Sequence, residues 1–170
     1  MKVYFIGAGP GDPELLTLKA HRIISNIELC LYAGSLVPVE ILSFVPKGAT
    51  VVDTANLNLK EIESYYINAK QENKDIARIH SGDVSVYGAL SEQIDILDKL
   101  NIEYEIIAGI PAYVQAAAIL NTELTIPGKV QSVILTRTSF SSTPMPEGED
   151  LVNLAKTGAT LVIHLSIRRM

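Results

Sequence analysis

Metal ligands and disulfide partners are scarce in this chain. Among its 170 residues there are one cysteine and three histidines. A zinc site needs several such ligands at close spacing, so we expect no resident metal. A single cysteine permits no internal disulfide, which fits a reducing cytoplasm. Cys30 lies in the apolar run IELCLY, and this context predicts a buried strand residue rather than a reactive thiol.

Long apolar runs and clustered basic residues are missing as well. No run of about 18 apolar residues predicts a membrane span, and the first residues lack the pattern of a signal peptide. The net charge is −5, with scattered basic residues, whereas a nucleic-acid-binding protein usually carries a basic stripe. We therefore expect a cytoplasmic protein with neither a membrane nor a nucleic acid as partner. A local basic pocket for an anionic small molecule is compatible with this charge.

Apolar runs and helical patterns alternate five times along residues 1–124. This alternation predicts an α/β fold with an open, mostly parallel five-stranded sheet and helices on both faces. A first-turn proline predicts that the first helix starts near Pro13. Asn58, with Glu61 three residues later, predicts an approximate capping box at the start of another helix.

The pattern changes after Asn121. A connector is followed by the strand QSVILTRT, a polar loop rich in Ser, Pro and Gly, a short helix and the strand ATLVIHLSI. We predict an N-terminal α/β domain over residues 1–124 and the beginning of a second, incomplete α/β domain over residues 125–170. A strand–helix–strand fragment alone buries little apolar surface.

The loop after the first predicted strand, GAGPGD, resembles two nucleotide-binding motifs but matches neither. A dinucleotide fingerprint needs G-x-G-x-x-G and an acidic residue about 20 positions later. Here Asp12 occupies the position of the third glycine, and Tyr32-Ala33-Gly34 follows the second strand. A phosphate loop needs G-K-[ST], and no lysine lies between Gly7 and Leu18. NAD and ATP are therefore disfavoured, and a tight turn with a structural role remains an alternative.

Two further glycine-containing loops, HSGDVSVYG and AGIPAY, follow the fourth and fifth predicted strands. Ligands of open parallel sheets bind outside the carboxyl ends of the strands, where all three loops lie. Asp83 adds a carboxylate that can accept hydrogen bonds from a ligand, or it is a turn or cap residue. Ser81 directly follows His80, and adjacent strand residues point to opposite faces, which makes a poor nucleophile–base pair. The three loops therefore predict a site for binding and positioning.

These loops resemble those of the tetrapyrrole methylases, which transfer methyl groups from S-adenosyl-L-methionine to corrinoid and siroheme precursors. The matching stretches are GAGPGD, SGDVSVYG and GIPAYVQAA. Within the family, YAGSLVP, DTANLNL, ELTIPGKVQSVILTRTS, TPMPEGEDL and LVIHLSI are similar to the precorrin-4 C11-methyltransferase branch and its cobalt-precorrin-4 counterpart. The resemblance runs from the first residue to the last few.

The resemblance implies a homodimer of two-domain chains, with the cofactor between the domains. By motif position it implies cofactor contacts from eight residues: Pro10, Ser81, Gly82, Asp83, Val86, Pro111, Ala112 and Leu165. Arg137 is the candidate partner for a carboxylate of the anionic tetrapyrrole substrate, because its fork binds both oxygens.

Some positions depart from the family pattern. Val84 and Ala108 stand where the family often has proline. Related uroporphyrinogen methylases have an acidic residue where this sequence has YAGS, so the resemblance assigns no general base to this chain. Family members continue through a complete second domain. We therefore expect this chain to be dimeric or aggregation-prone, with weak or absent methyl transfer. Two alternatives remain. The protein methylates another ring position, such as C20 or C17, or it is a non-catalytic remnant that binds the cofactor or a partner chain.

Overall fold

The structure is a computed structural model that describes residues 1–140 and 143–167, except for the side chain of Ser35. Its strands are β1 (Lys2–Gly7), β2 (Leu29–Tyr32), β3 (Thr50–Asp53), β4 (Ile76–His80), β5 (Glu103–Ile107), β6 (Val133–Arg137) and β7 (Thr160–His164). Its α-helices are α1 (Leu18–Ile24), α2 (Val39–Leu42), α3 (Leu59–Glu72), α4 (Leu90–Lys99), α5 (Ala112–Ile119) and α6 (Leu151–Ala155). No helix in these ranges is both long and apolar enough to span a bilayer.

The first five strands form one parallel sheet in the order β3-β2-β4-β1-β5. Side chains alternate along each strand, so neighbouring residues enter different cores. Val3 and Phe5 pack with α3 and α4 on one face, while Ile6 packs with α1 and α2 on the other. Cys30 is fully buried in the same core as Ile6. The predicted sheet with helices on both faces is confirmed.

The first helix begins later than predicted. Residues Pro13–Leu15 form a separate 3₁₀ turn, in which the Asp12 side chain accepts a hydrogen bond from the Glu14 N–H. Leu16 is extended, and α1 starts only after Thr17, whose side chain accepts from the Ala20 N–H. The predicted start near Pro13 is wrong because two capping residues compete, and each starts its own short helical segment.

The capping box at the start of α3 is confirmed. The Asn58 side chain accepts from the backbone N–H groups of Lys60 and Glu61, and the Glu61 carboxylate accepts from the Asn58 N–H. These bonds satisfy donors that a helix start otherwise leaves unpaired.

The strand order places a topological switch point between β2 and β4. The chain leaves β2 through α2 towards β3, and it leaves β4 through α4, on the opposite face, towards β5. These two connections move apart from adjacent strand ends. Open α/β sheets bind ligands in the crevice that forms at such a point.

Contacts divide the chain into two units, Met1–Gln115 and Ala116–Met170. The division falls inside α5, whereas the sequence predicts a boundary between residues 124 and 125. In the second unit, β6 and β7 form a two-stranded parallel sheet in which Arg137 lies opposite His164. With α6 between these strands in the sequence, the predicted strand–helix–strand order is present.

Candidate functional site

Three loops pack backbone against backbone at the carboxyl ends of β1, β4 and β5. A Cβ atom on Gly109 would lie 2.2 Å from the Gly82 carbonyl oxygen and 2.5 Å from that of Gly7. A Cβ atom on Gly7 would lie 2.7 Å from the Gly109 nitrogen and from the Gly82 oxygen. Real side chains do not fit at these distances, so the two glycines allow the loops to meet.

The loops after β1 and β4 are also paired by hydrogen bonds. The Gly9 N–H donates to the Gly82 oxygen at 3.1 Å, and the Gly82 N–H donates to the Gly9 oxygen at 2.7 Å. The Ala8 N–H donates to the His80 carbonyl oxygen at 2.8 Å. Gly9 and Gly82 both have positive φ, of 78° and 62°, which glycine adopts without strain. The N–H groups of Ala8 and Gly9 are therefore occupied and do not form a phosphate cradle.

Asp83 connects the loop after β4 to the loop after β5. One carboxylate oxygen accepts from the Gly109 N–H at 2.8 Å, and the other accepts from the Ser85 N–H at 2.9 Å and from the Ser85 hydroxyl. Partial burial raises the pKa of Asp83, but the bonds from Ser85 and Gly109 outweigh it, so the pKa lies below its ordinary value. The side chain closes a turn, as one interpretation of the sequence predicts, and it also links two loops; its hydrogen bond to a ligand stays a prediction.

The other residues predicted to bind the cofactor from the first unit lie on these same loops. Gly82 approaches the loop after β5: its Cβ position is 3.8 Å from the Cα atom of Pro111 and 3.9 Å from the nitrogen of Ala112. Pro10 directly follows Gly9, and the Val86 N–H donates to the Asp83 carbonyl oxygen at 3.3 Å. The structure therefore brings together the three loops that the sequence singled out.

Arg137 and Leu165 belong to the second unit, where both lie at the carboxyl end of the β6–β7 sheet. The Arg137 guanidinium donates to the carbonyl oxygens of Thr138 at 3.1 Å and Thr143 at 2.9 Å, and it lies 5.7 Å from the centre of the Phe140 ring. Leu165 is 59% exposed and has φ of 55°, a strained value for a branched side chain. Backbone strain of this kind is concentrated at binding and switch positions.

A buried polar cluster below the loop after β4 was not predicted from the sequence. Arg78, in the middle of β4, is only 5% exposed and donates to Gln93 at 3.0 Å and to the Thr54 hydroxyl at 2.9 Å. The hydroxyl of Tyr66 donates to the same Gln93 oxygen at 2.9 Å. The available signal was a lone arginine inside the apolar run DIARIH, since an arginine in a central strand must find acceptors inside the core.

His80 ends β4 directly before the loop. It is 7% exposed, and its ring centre lies 6.3 Å from that of Phe5. Among the residues that the structure describes, no hydrogen-bond partner reaches its Nε2 atom. Burial, with a smaller contribution from the charge of Arg78, lowers the pKa of His80 to about 3. The imidazole is therefore neutral at neutral pH.

Stability should decrease in mild acid because of His80. Its pKa is about 3 in the folded chain and about 6.5 in an unfolded chain. Between these values the unfolded state binds the extra proton, so the free energy of unfolding falls as the pH falls from 6.5 towards 3, by on the order of 2 kcal/mol at pH 5. Urea denaturation of wild type and His80→Leu over this range tests it. An unchanged slope in the variant would contradict the assignment.

Comparison with known proteins agrees with this geometry. Residues 2–170 match the family described as Tetrapyrrole (Corrin/Porphyrin) Methylases. The chain belongs to this family. It is 52% identical over 170 residues to a precorrin-4 C(11)-methyltransferase of Rhodococcus erythropolis, covering 100% of this chain and 68% of that relative. It is 45% identical over 166 residues to a cobalt-precorrin-4 C(11)-methyltransferase of Methanocaldococcus jannaschii, covering 98% of this chain and 64% of that relative.

Solved structures support the same family. The X-ray structure of a cobalt precorrin-4 methyltransferase superimposes on this methylase with a TM-score of 0.93 and 41% identity, covering 97% of this chain and 69% of that one. A uroporphyrin-III C-methyltransferase from Thermus thermophilus, complexed with S-adenosylhomocysteine, matches with a TM-score of 0.79 and 26% identity, covering 99% and 68%. This methylase spans about two thirds of the length of the relatives it matches. The predicted family and methyltransferase class are confirmed.

Proposed function

We propose that this methylase binds S-adenosyl-L-methionine at the three loops and transfers its methyl group to C11 of precorrin-4 or cobalt-precorrin-4. The observation that carries the proposal is the packing of Gly7, Gly82 and Gly109 at the carboxyl ends of three parallel strands. The names of the relatives at 45% to 52% identity support the ring position and the substrate class.

The loops suit a cofactor without phosphate groups. The N–H groups of Ala8 and Gly9, which a pyrophosphate would need, donate to the carbonyl oxygens of His80 and Gly82. The ionised Asp83 places negative charge in the loop after β4, which favours a cationic ligand over an anionic one. S-adenosyl-L-methionine, when bound, supplies a methyl group that its positively charged sulfur makes electrophilic. The transfer of this group therefore needs no nucleophilic side chain.

In this proposal the chain's residues bind and orient. Pro10, Gly82 and Pro111 present backbone and small side chains along which a flat ligand can lie. Val86 adds an apolar contact, and Asp83 keeps the loops together. Ser81 and Ala112 complete the loop surface. Alignment of the reacting atoms in a water-poor site is a sufficient source of rate acceleration for a reaction between an electrophilic methyl group and an electron-rich ring carbon.

The family resemblance supports two further contacts in this proposal, of Leu165 with the cofactor and of Arg137 with a substrate carboxylate. The Arg137 guanidinium already donates to two carbonyl oxygens, so a substrate carboxylate would add a charge-assisted bond to a side chain held in place. We also propose that the protein acts as a homodimer in the cytoplasm, where the thiol of Cys30 stays reduced.

Ligand specificity tests the cofactor assignment. We expect S-adenosylhomocysteine to raise the melting temperature of the protein, and neither NAD nor ATP to do so, because the N–H groups of Ala8 and Gly9 already donate to backbone oxygens. Thermal-shift titration with the three ligands measures this. Stabilisation by NAD that NADH competes away would overturn the assignment.

Substrate specificity needs a separate measurement. A mass assay with S-adenosyl-L-methionine and precorrin-4, with and without cobalt, should detect a single added methyl group. Magnetic resonance of the product then distinguishes C11 from C17 or C20. Binding of S-adenosylhomocysteine without any methyl transfer would favour the non-catalytic alternative.

A further inference from the structure

Residues 83–89, the larger part of the loop between β4 and α4, are folded tightly and strained. Tyr87 and Ala89 both have positive φ, of 55° and 46°, which side-chain-bearing residues rarely adopt. A Cβ atom on Gly88 would lie 2.2 Å from the Val84 carbonyl oxygen, so the loop folds back on itself. Such a backbone persists only where its surroundings hold it. This segment includes Asp83, which keeps the loops together, and Val86, to which we assign an apolar contact with the cofactor.

Gln93 is a side chain that holds this loop from below. It is 4% exposed on the first turns of α4, and its Nε2 atom donates to the Ala89 carbonyl oxygen at 3.1 Å. Its Oε1 atom accepts from Arg78 Nε at 3.0 Å and from the Tyr66 hydroxyl at 2.9 Å. Two donors on one oxygen fix the orientation of the amide, because the flipped amide would place its N–H groups against them. The nitrogen therefore faces Ala89.

Arg78 holds the Gln93 amide firmly in this orientation. It is 5% exposed, and none of the ion pairs found among residues 1–140 and 143–167 involves it; its bonds go to neutral oxygens of Gln93, Thr54 and Leu31. A buried cation is costly, and packing alone would be served better by an apolar residue. Bonds from a charged donor are stronger than neutral ones. The cation thus fixes a neutral amide whose other end reaches the strained loop.

We propose that Gln93 is a positioning residue: anchored by Arg78 and Tyr66, it holds the Ala89 carbonyl and thereby keeps loop 83–89 in the conformation that binds the cofactor. This inference rests on the proposed function for the site. It assigns the buried arginine to loop shape rather than to fold stability alone.

The variant Gln93→Glu separates loop positioning from packing. Glutamate keeps the acceptor for Arg78 and Tyr66 and gives the arginine a counter-charge, but it cannot donate to Ala89. We expect an unfolding midpoint in urea equal to or above that of wild type. We also expect at least a tenfold loss of S-adenosylhomocysteine affinity by calorimetry and faster amide hydrogen exchange at residues 87–90 of the ligand-free protein.

Two matched variants complete the test. Ile24→Val trims a fully buried side chain in the core on the other face of the sheet, so stability should fall while affinity stays within threefold of wild type. Glu92→Gln, at the exposed neighbouring position, should change neither the stability nor the affinity for S-adenosylhomocysteine. Affinity and exchange in Gln93→Glu that match wild type would overturn the proposal. So would an affinity loss that only accompanies a loss of stability.

Failure of the proposed function gives a different result. If wild type does not bind S-adenosylhomocysteine, the cofactor assignment is wrong, and the exchange measurement still decides whether Gln93 holds the loop. Faster exchange confined to residues 87–90 would support the loop anchor, and unchanged exchange there would contradict it.

Discussion

Gly109→Ala is expected to destabilise the protein by about 3 kcal/mol and to abolish detectable cofactor binding. The new Cβ atom would lie 2.2 Å from the Gly82 oxygen and 2.5 Å from the Gly7 oxygen. Both neighbours are backbone atoms of other loops and cannot rotate away. The added methyl group therefore forces the loops apart, and such overpacking lowers the stability of the fold. Separation also breaks the bond from the Gly109 N–H to Asp83.

Gly48→Ala is the matched control for this prediction. Gly48 is exposed in a turn, and a Cβ atom there would meet no atom within 4 Å. Its free energy of unfolding should change by less than about 0.5 kcal/mol, with unchanged affinity for S-adenosylhomocysteine. Urea denaturation and calorimetry on both variants measure these effects. A Gly109→Ala variant as stable as Gly48→Ala would show that the loops do not pack as described.

Asp83→Ala should weaken S-adenosylhomocysteine binding by about 1.5–3 kcal/mol, the range for a hydrogen bond that involves a charge. From the sequence alone we would expect little loss of stability. The structure changes this expectation, because the carboxylate accepts from the N–H groups of Gly109 and Ser85, and its removal leaves both donors to find water. We therefore expect stability to fall together with affinity.

Asp83→Asn separates the charge from the bonds. The amide keeps one acceptor oxygen, so we expect it to retain more stability than alanine does. Asp95→Ala, at an exposed position on α4, controls for the loss of a carboxylate elsewhere. Calorimetry and urea denaturation report on affinity and stability. Cofactor affinity of Asp83→Ala equal to that of Asp95→Ala would leave Asp83 with a turn role only.

The sheet and its loops are predictable from local patterns. Short apolar strands alternate with helical spacing, and glycines lie within two residues of the ends of β1 and β4, so the carboxyl edge is evident from the sequence. The structural role of these glycines is not evident from the sequence. Gly7 and Gly109 are far apart in the sequence, and only the folded chain shows that each is required by a backbone atom of another loop.

Arg78 and Gln93 show a second limit. Each residue alone is ordinary, and their meeting depends on how α4 packs on β4, which local patterns do not encode. The start of α1 was missed for a different reason. Asp12 and Thr17 are both favoured caps, and nothing in their spacing indicates that each would start a separate segment.

Titration of the ¹⁵N-labelled protein with S-adenosylhomocysteine, followed by magnetic resonance, tests the three-loop site most directly. We predict saturable binding with the largest amide shifts at Gly82, Asp83 and Gly109 and their neighbours. The groove at the opposite edge of the sheet, lined by Lys19 and Arg22, should show none. Shifts that cluster in that groove, or no saturable change, would contradict a cofactor site at the three loops.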